Sequence, residues 1–308
     1  AVFQGCSNLT SVSLPASLQN ISGGAFRDTP LYQNESNWEN GVLYIDRALI
    51  EAKSSVTGAY AVKAGTRIIG ERAFFFSDIT GITLPDSLTS ISSNAFEQCR
   101  NRTGVTIPSH VTNIGNNAFS YCPSLTRVTL PDSVTHIGTN AFYATGLYND
   151  AANWDHDVLY IGNALIGGKP DVFQGAHTAR AGTRIVADAA FYHMPVTALT
   201  LPDSVRYIGK SCFYASSDLA ALKIPEGVKS IEEQTFGFCY GLKIVTIPSS
   251  VTQIDLAAFH ECKLEEVYYA GSAEDWAAVQ INNSGNYNDP LLNAVFHYGT
   301  AGEAAPLH

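Results

Sequence analysis

The chain has 308 residues, of which 45% are hydrophobic and 15% are charged, a composition that excludes an intrinsically disordered polypeptide. Eighteen basic residues against twenty-eight acidic ones leave a formal net charge of −10. No basic cluster is present, which disfavours a nucleic acid as the partner because phosphate binding needs concentrated positive charge. No apolar run approaches the ~18 residues that cross a bilayer, so no membrane insertion is predicted within this sequence.

One motif recurs from the first residues onward. Leu-Pro or Ile-Pro pairs begin at residues 84, 107 and 130, and again at 201, 224 and 247, each 23 residues apart. The surrounding pattern is L-P-x-S-V-T-x-I-G-x-x-A-F-x-x-C-x-x-L-x-x-V-T. Its phenylalanine, called here the ladder phenylalanine, occurs at Phe3, Phe26, Phe74, Phe96, Phe119, Phe142, Phe191, Phe213, Phe236 and Phe259. Counting 23 residues on from Phe26 and Phe142 reaches Leu49 and Leu165, so the sequence predicts about twelve coils.

Each repeat predicts one strand and one tight turn. Residues Leu125 to Leu130 alternate between apolar and polar, which is typical of a half-buried strand, and the proline that follows ends it. Residues Ile137 to Phe142 favour a bend with a short helical turn. Because a unit this short cannot bury its own apolar side, neighbouring coils must share a core. We therefore predict a repeat solenoid with a parallel β-sheet on the concave face and short helical turns and loops opposite.

Two variant coils interrupt the regular pattern. Leu31-Tyr32 matches Leu147-Tyr148, and Val42–Ile45 matches Val158–Ile161, both at an offset of 116 residues. This longer repeat indicates internal duplication of about five coils. We expect small loops to protrude near residues 31–62 and 147–179.

The repeat gives way to a different sequence after Tyr269. Ser272 and Asp275 have the spacing of a helix capping box, which predicts a short helix from Ala273 to Val279. Residues 294–298 have the pattern of a last strand. The predicted organisation is thus a repeat array over residues 1–269 and a C-terminal cap and tail over 270–308, with fraying from Gly302 to His308. Residues 1–6 begin within a repeat, so we expect further sequence before residue 1.

The recurring motifs L-P-x-S-V, I-G-x-x-A-F and x-x-C-x-x-L resemble the leucine-rich repeats of the BspA-like, or Treponema-type, class of bacterial surface proteins. The resemblance extends from Val2 to about Tyr269. Departures are Arg102 at an inward leucine position, and Cys212 and Thr235 in place of alanine. The resemblance implies a non-catalytic protein of the cell surface or the secreted fraction, acting in adhesion to host matrix or cells and in contacts between bacteria.

Five of the six cysteines occupy one position, three residues after a ladder phenylalanine: Cys6, Cys99, Cys122, Cys239 and Cys262. We expect a column of buried small side chains. Stacked coils keep Cβ atoms about 4.8 Å apart, whereas a disulfide brings them to about 3.8 Å, so free thiols are predicted. The spacing does not fit a zinc site.

Other candidates for chemistry are few. The cluster Asp155-His156-Asp157, with Asp150 nearby, has cation-binding residue types, but it aligns with Glu39-Asn40-Gly41, and a solvated loop is favoured. The sequence contains no nucleophile elbow, zinc-protease, phosphate-loop or dinucleotide motif. We therefore predict no enzyme, no cofactor and no catalytic or metal site.

The remaining hypothesis is a binding face formed by outward strand positions. Its residues are Ser11, Ser13, Thr83, Thr106, Arg127, Thr129, Thr200, Lys223 and Thr246. The expected partner is a host or bacterial surface protein, bound by a monomer. A carbohydrate-binding surface is the alternative, formed by Tyr32, Trp38, Tyr148 and Trp154, although core anchoring of both tryptophans is favoured. A passive spacer is the third possibility.

Overall fold

The computed structural model describes residues 2–299, which contain two compact units, one ending at Asn153 and the other beginning at Trp154. The fold is a β-solenoid of parallel stacked strands with few helices, which confirms the predicted class. It has about ten turns rather than the twelve counted from the sequence.

The described part of the first unit contains eleven strands and two short helices, together with 3-10 turns at Glu35–Asn37 and Ala151–Asn153. In chain order the strands are β1 (Trp38–Glu39), β2 (Val42–Ile45), β3 (Ala48–Ala52), β4 (Gly58–Ala61), β5 (Ile68–Ile69), β6 (Ile79–Thr83), β7 (Ser90–Ile91), β8 (Gly104–Thr106), β9 (Asn113–Ile114), β10 (Arg127–Thr129) and β11 (His136–Ile137). The helices are α1 (Pro30–Gln33) and α2 (Gly146–Asn149).

The second unit repeats this order and ends in the cap. Its strands are β12 (Trp154–Asp155), β13 (Val158–Ile161), β14 (Ala164–Gly168), β15 (Gly175–Thr178), β16 (Ile185–Val186), β17 (Val196–Thr200), β18 (Tyr207–Ile208), β19 (Ala221–Lys223), β20 (Ser230–Ile231), β21 (Ile244–Ile247), β22 (Gln253–Ile254), β23 (Glu266–Tyr269), β24 (Gln280–Ile281) and β25 (Val295–Tyr298). Its helices are α3 (Ala273–Ala277) and α4 (Asp289–Leu292), with a 3-10 turn at Ser284–Asn286.

Each regular coil contributes two strands rather than one. A longer strand precedes the proline, as in β8 and β10, which pair in parallel with Val105 opposite Val128. A two-residue strand follows it, as in β9 and β11, where Ile114 lies opposite Ile137. The sequence does not predict the second row, because a two-residue strand has no alternation that a pattern can detect.

The ladder phenylalanines form the core of each unit, as predicted. Neighbouring rings lie 5.1 to 5.7 Å apart between centroids and are parallel to within 1° to 19°. Nine of the ten are fully buried, and Phe3 in the first coil is half-buried. Each coil therefore contributes one phenylalanine ring, which packs against the rings of the neighbouring coils.

Leu49 and Leu165 are buried, but their assignment to the phenylalanine ladder is wrong. Leu49 lies opposite Ile69, and Leu165 lies opposite Val186, so both belong to the column of the two-residue strands. The expected protruding loops are antiparallel hairpins, β2–β3 and β13–β14, which supply these residues. A hairpin adds chain without adding a coil, which explains the overcount.

The expected helical turn is replaced by consecutive tight turns. The residues two before and two after a ladder phenylalanine are left-handed, for example Asn117 and Tyr121 around Phe119, with φ of 53° and 54°. A residue at positive φ ends a right-handed helix, and asparagine accepts this conformation more readily than most residues. At the second of these positions, Tyr121 and Phe76 expose their rings to solvent.

The cysteine column is explained by hydrogen bonding. Cys122 donates its thiol to the carbonyl oxygen of Phe96 over 3.1 Å, and Cys239 donates to that of Phe213 over 2.8 Å. Ser216 occupies the same position and donates to Phe191. All six cysteines are free thiols, as predicted. Cys6 is exposed rather than buried, because it lies in the first coil with a neighbour on one side.

A short helix and a last strand are present after Tyr269, where the sequence predicts a cap. Helix α3 begins at Ala273 behind a capping box in which Ser272 and Asp275 bond each other's backbone amides, although it ends at Ala277 rather than Val279. Strand β25 pairs with β23 and so adds a last strand to that sheet. The prediction for Gly302 to His308 lies outside the described residues.

Candidate functional site

The predicted face residues are exposed with one exception. Thr83, Thr106, Arg127, Thr129, Thr200 and Lys223 all lie on longer strands and face solvent, and Ser11 and Ser13 are exposed on irregular backbone. Thr246 is buried, which corrects its assignment to the face. Its register neighbours are Lys223 and Tyr268, and long side chains on both sides cover a threonine between them.

Four face residues line one groove in the first unit. It has a volume of about 850 Å³ and contains Thr83, Thr106, Arg127 and Thr129. Tyr60 and Asp86 also line it. We call it the strand groove; it brings together four of the predicted face residues, and their role in binding stays a prediction.

The groove exists because three consecutive coils lack a large side chain at one outward position. Ala59 lies opposite Gly81 on β4 and β6, and Gly104 takes the same place on β8, where it lies opposite Arg127. A Cβ at Gly81 would meet only the Cβ of Ala59, at 3.9 Å, so the space above it is open. Glycine inside a strand often marks close approach of another backbone or ligand. The two glycines, 23 residues apart, are the sequence signal of the groove floor, which polar alternation alone does not reveal.

Arg127 closes one end of the groove. A Cβ placed on Gly104 would lie 4.0 Å from Nε of Arg127, so the arginine side chain extends over its glycine neighbour. Within residues 2–299, no acidic side chain lies within ion-pairing distance of Arg127. Its positive charge is therefore available to a ligand that enters the groove.

The equivalent face of the second unit, 117 residues further on, is different. Ala198 and Ala221 replace the two glycines, Ile244 replaces Arg127, and Lys223 replaces Thr106. Ala198 lies opposite Ala176, and Ala221 opposite Ile244, in the same register as in the first unit. The backbone register is thus the same in both units. In the second unit, however, alanine side chains occupy the positions of the two glycines, and the positive charge is at the position of Thr106 instead of that of Arg127.

The aromatic residues of the variant coils are engaged in local packing. Trp38 contacts Tyr32 edge to face at 5.5 Å and donates its indole N–H to the Tyr32 carbonyl. The ammonium of Lys53 lies 4.4 Å from the Trp38 ring centroid, and Lys169 lies 5.7 Å from that of Trp154. A lysine over a ring face competes with a sugar for that face. This arrangement favours the anchoring role over a sugar platform at these positions.

The acidic loop of the second unit forms ion pairs. Asp155 accepts hydrogen bonds from Arg180 at 2.8 Å and from His156 at 2.7 Å. The bond from Arg180 lowers the pKa of this carboxyl below its usual value. Across the described residues, no group of three or more potential ligands is placed to hold a metal ion. Nor does that part of the chain contain a helix with the length and apolarity to span a bilayer.

Stacked parallel strands, a buried ladder and a recurring proline-ended strand define a leucine-rich-repeat solenoid. The family model of the BspA type leucine-rich repeat region matches in six copies, over residues 1–57, 54–165 and 177–286. The chain belongs to this family, whose fold is generally non-catalytic.

Solved structures of bacterial leucine-rich repeat proteins are similar to this chain. One is a leucine-rich cell surface protein from Faecalibacterium prausnitzii A2-165, with 25% identity, a TM-score of 0.38 and 89% of each chain covered. A leucine-rich repeat protein from Bacteroides ovatus has 20% identity and a TM-score of 0.32, with 84% of this chain and 91% of that chain covered. The T. pallidum leucine-rich repeat protein has 20% identity and a TM-score of 0.30, with 74% and 88% covered. No curated protein sequence matches the chain.

Proposed function

We propose that the chain is a non-catalytic adhesion module of a bacterial cell surface, which binds a surface protein of a host or of another bacterium through the strand groove. The observation that carries this proposal is the groove itself, an open volume of about 850 Å³ floored by Ala59, Gly81 and Gly104. The family's repeat architecture supports a binding role, and membership of a family found in bacterial surface proteins supports the cell-surface location.

The chemistry of the groove favours a polar partner with a negative group. Threonine hydroxyls at 83, 106 and 129 line its rim and can donate or accept hydrogen bonds. The guanidinium of Arg127 presents several N–H donors that suit a carboxylate in two-point contact. A projecting segment of a partner protein with an aspartate or glutamate near its tip would satisfy both.

The test is a binding screen of the purified chain against immobilised extracellular-matrix proteins and intact cells, followed by variants. Gly81→Leu places a side chain in the groove without backbone strain, since the space is open there. We expect it to weaken binding at least about tenfold, which corresponds to ~1.4 kcal/mol. Arg127→Ala should also weaken binding, with a smaller dependence on salt than the wild type shows.

The duplication supplies a matched control. Ala198→Leu adds a similar side chain at the equivalent position of the second unit and should leave binding unchanged. Equal losses in both leucine variants would place the site elsewhere. Failure of the wild type to bind any protein or cell in the screen would contradict the adhesion proposal and favour a passive spacer.

A further inference from the structure

A continuous row of aromatic rings crosses the surface of the second unit on its turn side. It starts at the residue after a ladder phenylalanine in one coil and continues through the corresponding turns of the following coils. We call it the aromatic ribbon; its members are Tyr192, Tyr214, Phe238, Tyr240, His260 and Tyr287.

The rings are in unbroken contact. Centroid distances are 5.2 Å from Tyr192 to Tyr214, 5.2 Å on to Phe238, 4.9 Å on to His260 and 4.7 Å on to Tyr287. The spacing follows from the solenoid, because hydrogen-bonded coils keep equivalent residues about 4.8 Å apart. The ribbon is therefore a periodic surface with one ring in each coil, except that the coil of Phe236 contributes both Phe238 and Tyr240.

The orientation of the rings changes along the ribbon. Tyr192 and Tyr214 are nearly parallel, with an interplanar angle of 9°. The next contacts are inclined by 55°, 88° and 74°, and Tyr240 stands at 79° to Phe238. Each contact covers part of a ring face, so the ribbon presents to a ligand the ring surface that stays uncovered, together with hydroxyl-bearing and nitrogen-bearing edges.

The exposed members of the ribbon are all tyrosines. Tyr192, Tyr240 and Tyr287 are 45%, 48% and 42% exposed, and they are the three large hydrophobic side chains most open to solvent between residues 190 and 290. No exposed leucine, isoleucine or valine accompanies them in that span. A flat apolar face with a hydroxyl at its edge suits a ligand that combines C–H faces with hydroxyl groups, as a pyranose ring does.

The first unit shows that the ribbon is not required by the repeat. It has aromatic residues at three of the equivalent positions, Phe75, Tyr121 and Tyr143, but Glu97 stands at the position of Tyr214 and interrupts the row. The same backbone therefore tolerates a charged residue that would break the ribbon. The periodicity of the rings in the second unit is a property of its surface residues and not of the fold.

We propose that the aromatic ribbon binds a neutral, unbranched oligosaccharide that lies along it, one sugar to a coil. The ring-to-ring distance is close to the length of one pyranose unit in an extended chain, so a periodic ligand matches a periodic surface. The net charge of −10 disfavours polyanionic glycans. This site is distinct in residues and in ligand class from the strand groove.

The experiment is isothermal titration calorimetry of the whole chain with two β-1,4-linked probes, cellohexaose and chitohexaose, and with cellobiose. We expect at least one hexasaccharide to bind, and cellobiose to bind at least tenfold more weakly, because a longer chain contacts more coils. Tyr214→Glu, which introduces the residue of the first unit, should weaken hexasaccharide binding at least tenfold. Tyr240→Ala, at an exposed position, should weaken it by a smaller factor.

Two control variants test whether the sugar binds at the ribbon and nowhere else on the chain. Tyr121→Ala removes a tyrosine of similar exposure, 49%, from the first unit and should leave sugar binding unchanged. Arg127→Ala should weaken protein binding only. The proposal is overturned if neither hexasaccharide binds the wild type, or if Tyr214→Glu and Tyr240→Ala, with unchanged melting temperatures, both retain full affinity. Loss of protein-partner binding in Tyr214→Glu, with no sugar binding by the wild type, would assign the ribbon to a protein instead.

Discussion

The two units are copies of one design that have kept the same interior and changed their surfaces. Phe119 and Phe236 are equivalent positions, both fully buried, and each stacks on its neighbours within 5.1 to 5.5 Å. On the strand face, however, Gly81 and Gly104 of the first unit become Ala198 and Ala221 in the second. On the turn side, Glu97 becomes Tyr214.

This difference shows which positions the solenoid needs. A residue between two coils must match both neighbours in shape, so change there is costly. A residue that faces solvent has fewer packing constraints, so its type can change as the ligand changes. Equivalent positions of the two units therefore serve as each other's controls, and substituting one unit's residue into the other tests stability and function separately.

The largest effect is expected from breaking the shared interior. Phe119→Ala and Phe236→Ala should each lower the free energy of unfolding by about 3–5 kcal/mol, because each leaves a ring-sized cavity in a close-packed column. Denaturant unfolding followed by circular dichroism measures the loss. Phe76→Ala, at an exposed position, is the control and should change stability by less than about 0.5 kcal/mol. A loss in only one of the two units would show that the copies are not structurally equivalent.

A gain in stability is expected where the first unit departs from the second. Arg102 is fully buried at the position of Leu219, between the rings of Phe96 and Phe119 at 4.7 and 5.2 Å. Its Nε donates to the Gly104 carbonyl over 3.3 Å, but Nη1 and Nη2 have no hydrogen-bond partner in the described chain. Burial lowers the pKa of this guanidinium to about 10 and raises that of the neighbouring Cys99 thiol to about 11.

Arg102→Leu should therefore raise the free energy of unfolding by about 1–4 kcal/mol, by analogy with buried ion pairs that are replaced by apolar residues of similar volume. Chemical denaturation of the wild type and the variant measures the gain. Leu219→Arg is the reciprocal variant and should destabilise the second unit. A destabilised Arg102→Leu protein would mean that the contacts of the guanidinium with the two rings outweigh its desolvation.

How much of the fold is predictable from the sequence depends on whether a feature repeats. The ladder phenylalanines and the cysteine position recur in fixed register, so their burial follows from spacing alone. Leu49 could not be placed by counting, since a hairpin and a coil add similar lengths of chain. Thr246 could not be recognised as buried, because its cover comes from residues 22 or 23 positions away on neighbouring coils.

Of the two candidate surfaces, one could be predicted from the sequence and the other could not. Thr83, Thr106, Arg127 and Thr129 were predicted from strand alternation, and the strand groove contains all four. The aromatic ribbon was not predicted. Its members follow the ladder phenylalanine by one, two or four residues, at turn positions with no fixed residue type, and Tyr287 belongs to the cap. That these side chains lie together becomes visible only from the structure, because the left-handed turns determine where they are placed.

A smaller gain is expected from replacing the glycines of the strand groove. Gly81→Ala and Gly104→Ala introduce the residues of the second unit, and a Cβ at either position has ordinary contacts of 3.5 to 4.0 Å. Each should stabilise the protein by about 0.4–1 kcal/mol, since alanine restricts the unfolded chain more than glycine does. Thermal unfolding measures the gain. Lower binding with higher stability in the double variant would support a functional reason for the glycines; unchanged binding would argue against one.

The smallest effect is expected on stability at acid pH. It concerns one hydrogen-bonded pair of side chains that differs between the two units. Tyr44 and Tyr60 share a hydrogen bond of 2.9 Å in the first unit, whereas Tyr160 bonds His177 at 2.8 Å in the second. Burial lowers the pKa of His177 below its ordinary 6.5, while Asp155 opposes this and His156 and Arg180 reinforce it. Well above pH 6.5 the imidazole is neutral in both states. Below it the unfolded chain takes up the proton first, so stability falls as the pH falls towards the folded pKa.

His177→Tyr restores the tyrosine pair of the first unit and should flatten this part of the pH profile. The measurement is the difference in melting temperature between pH 7 and pH 5 for the wild type and the variant, with Tyr60→His as the reciprocal change. Because carboxylates elsewhere also titrate towards pH 5, only the difference between the two proteins reports on His177. Identical profiles would show that His177 is equally easy to protonate in both states, and that the hydrogen bond to Tyr160 compensates for its burial.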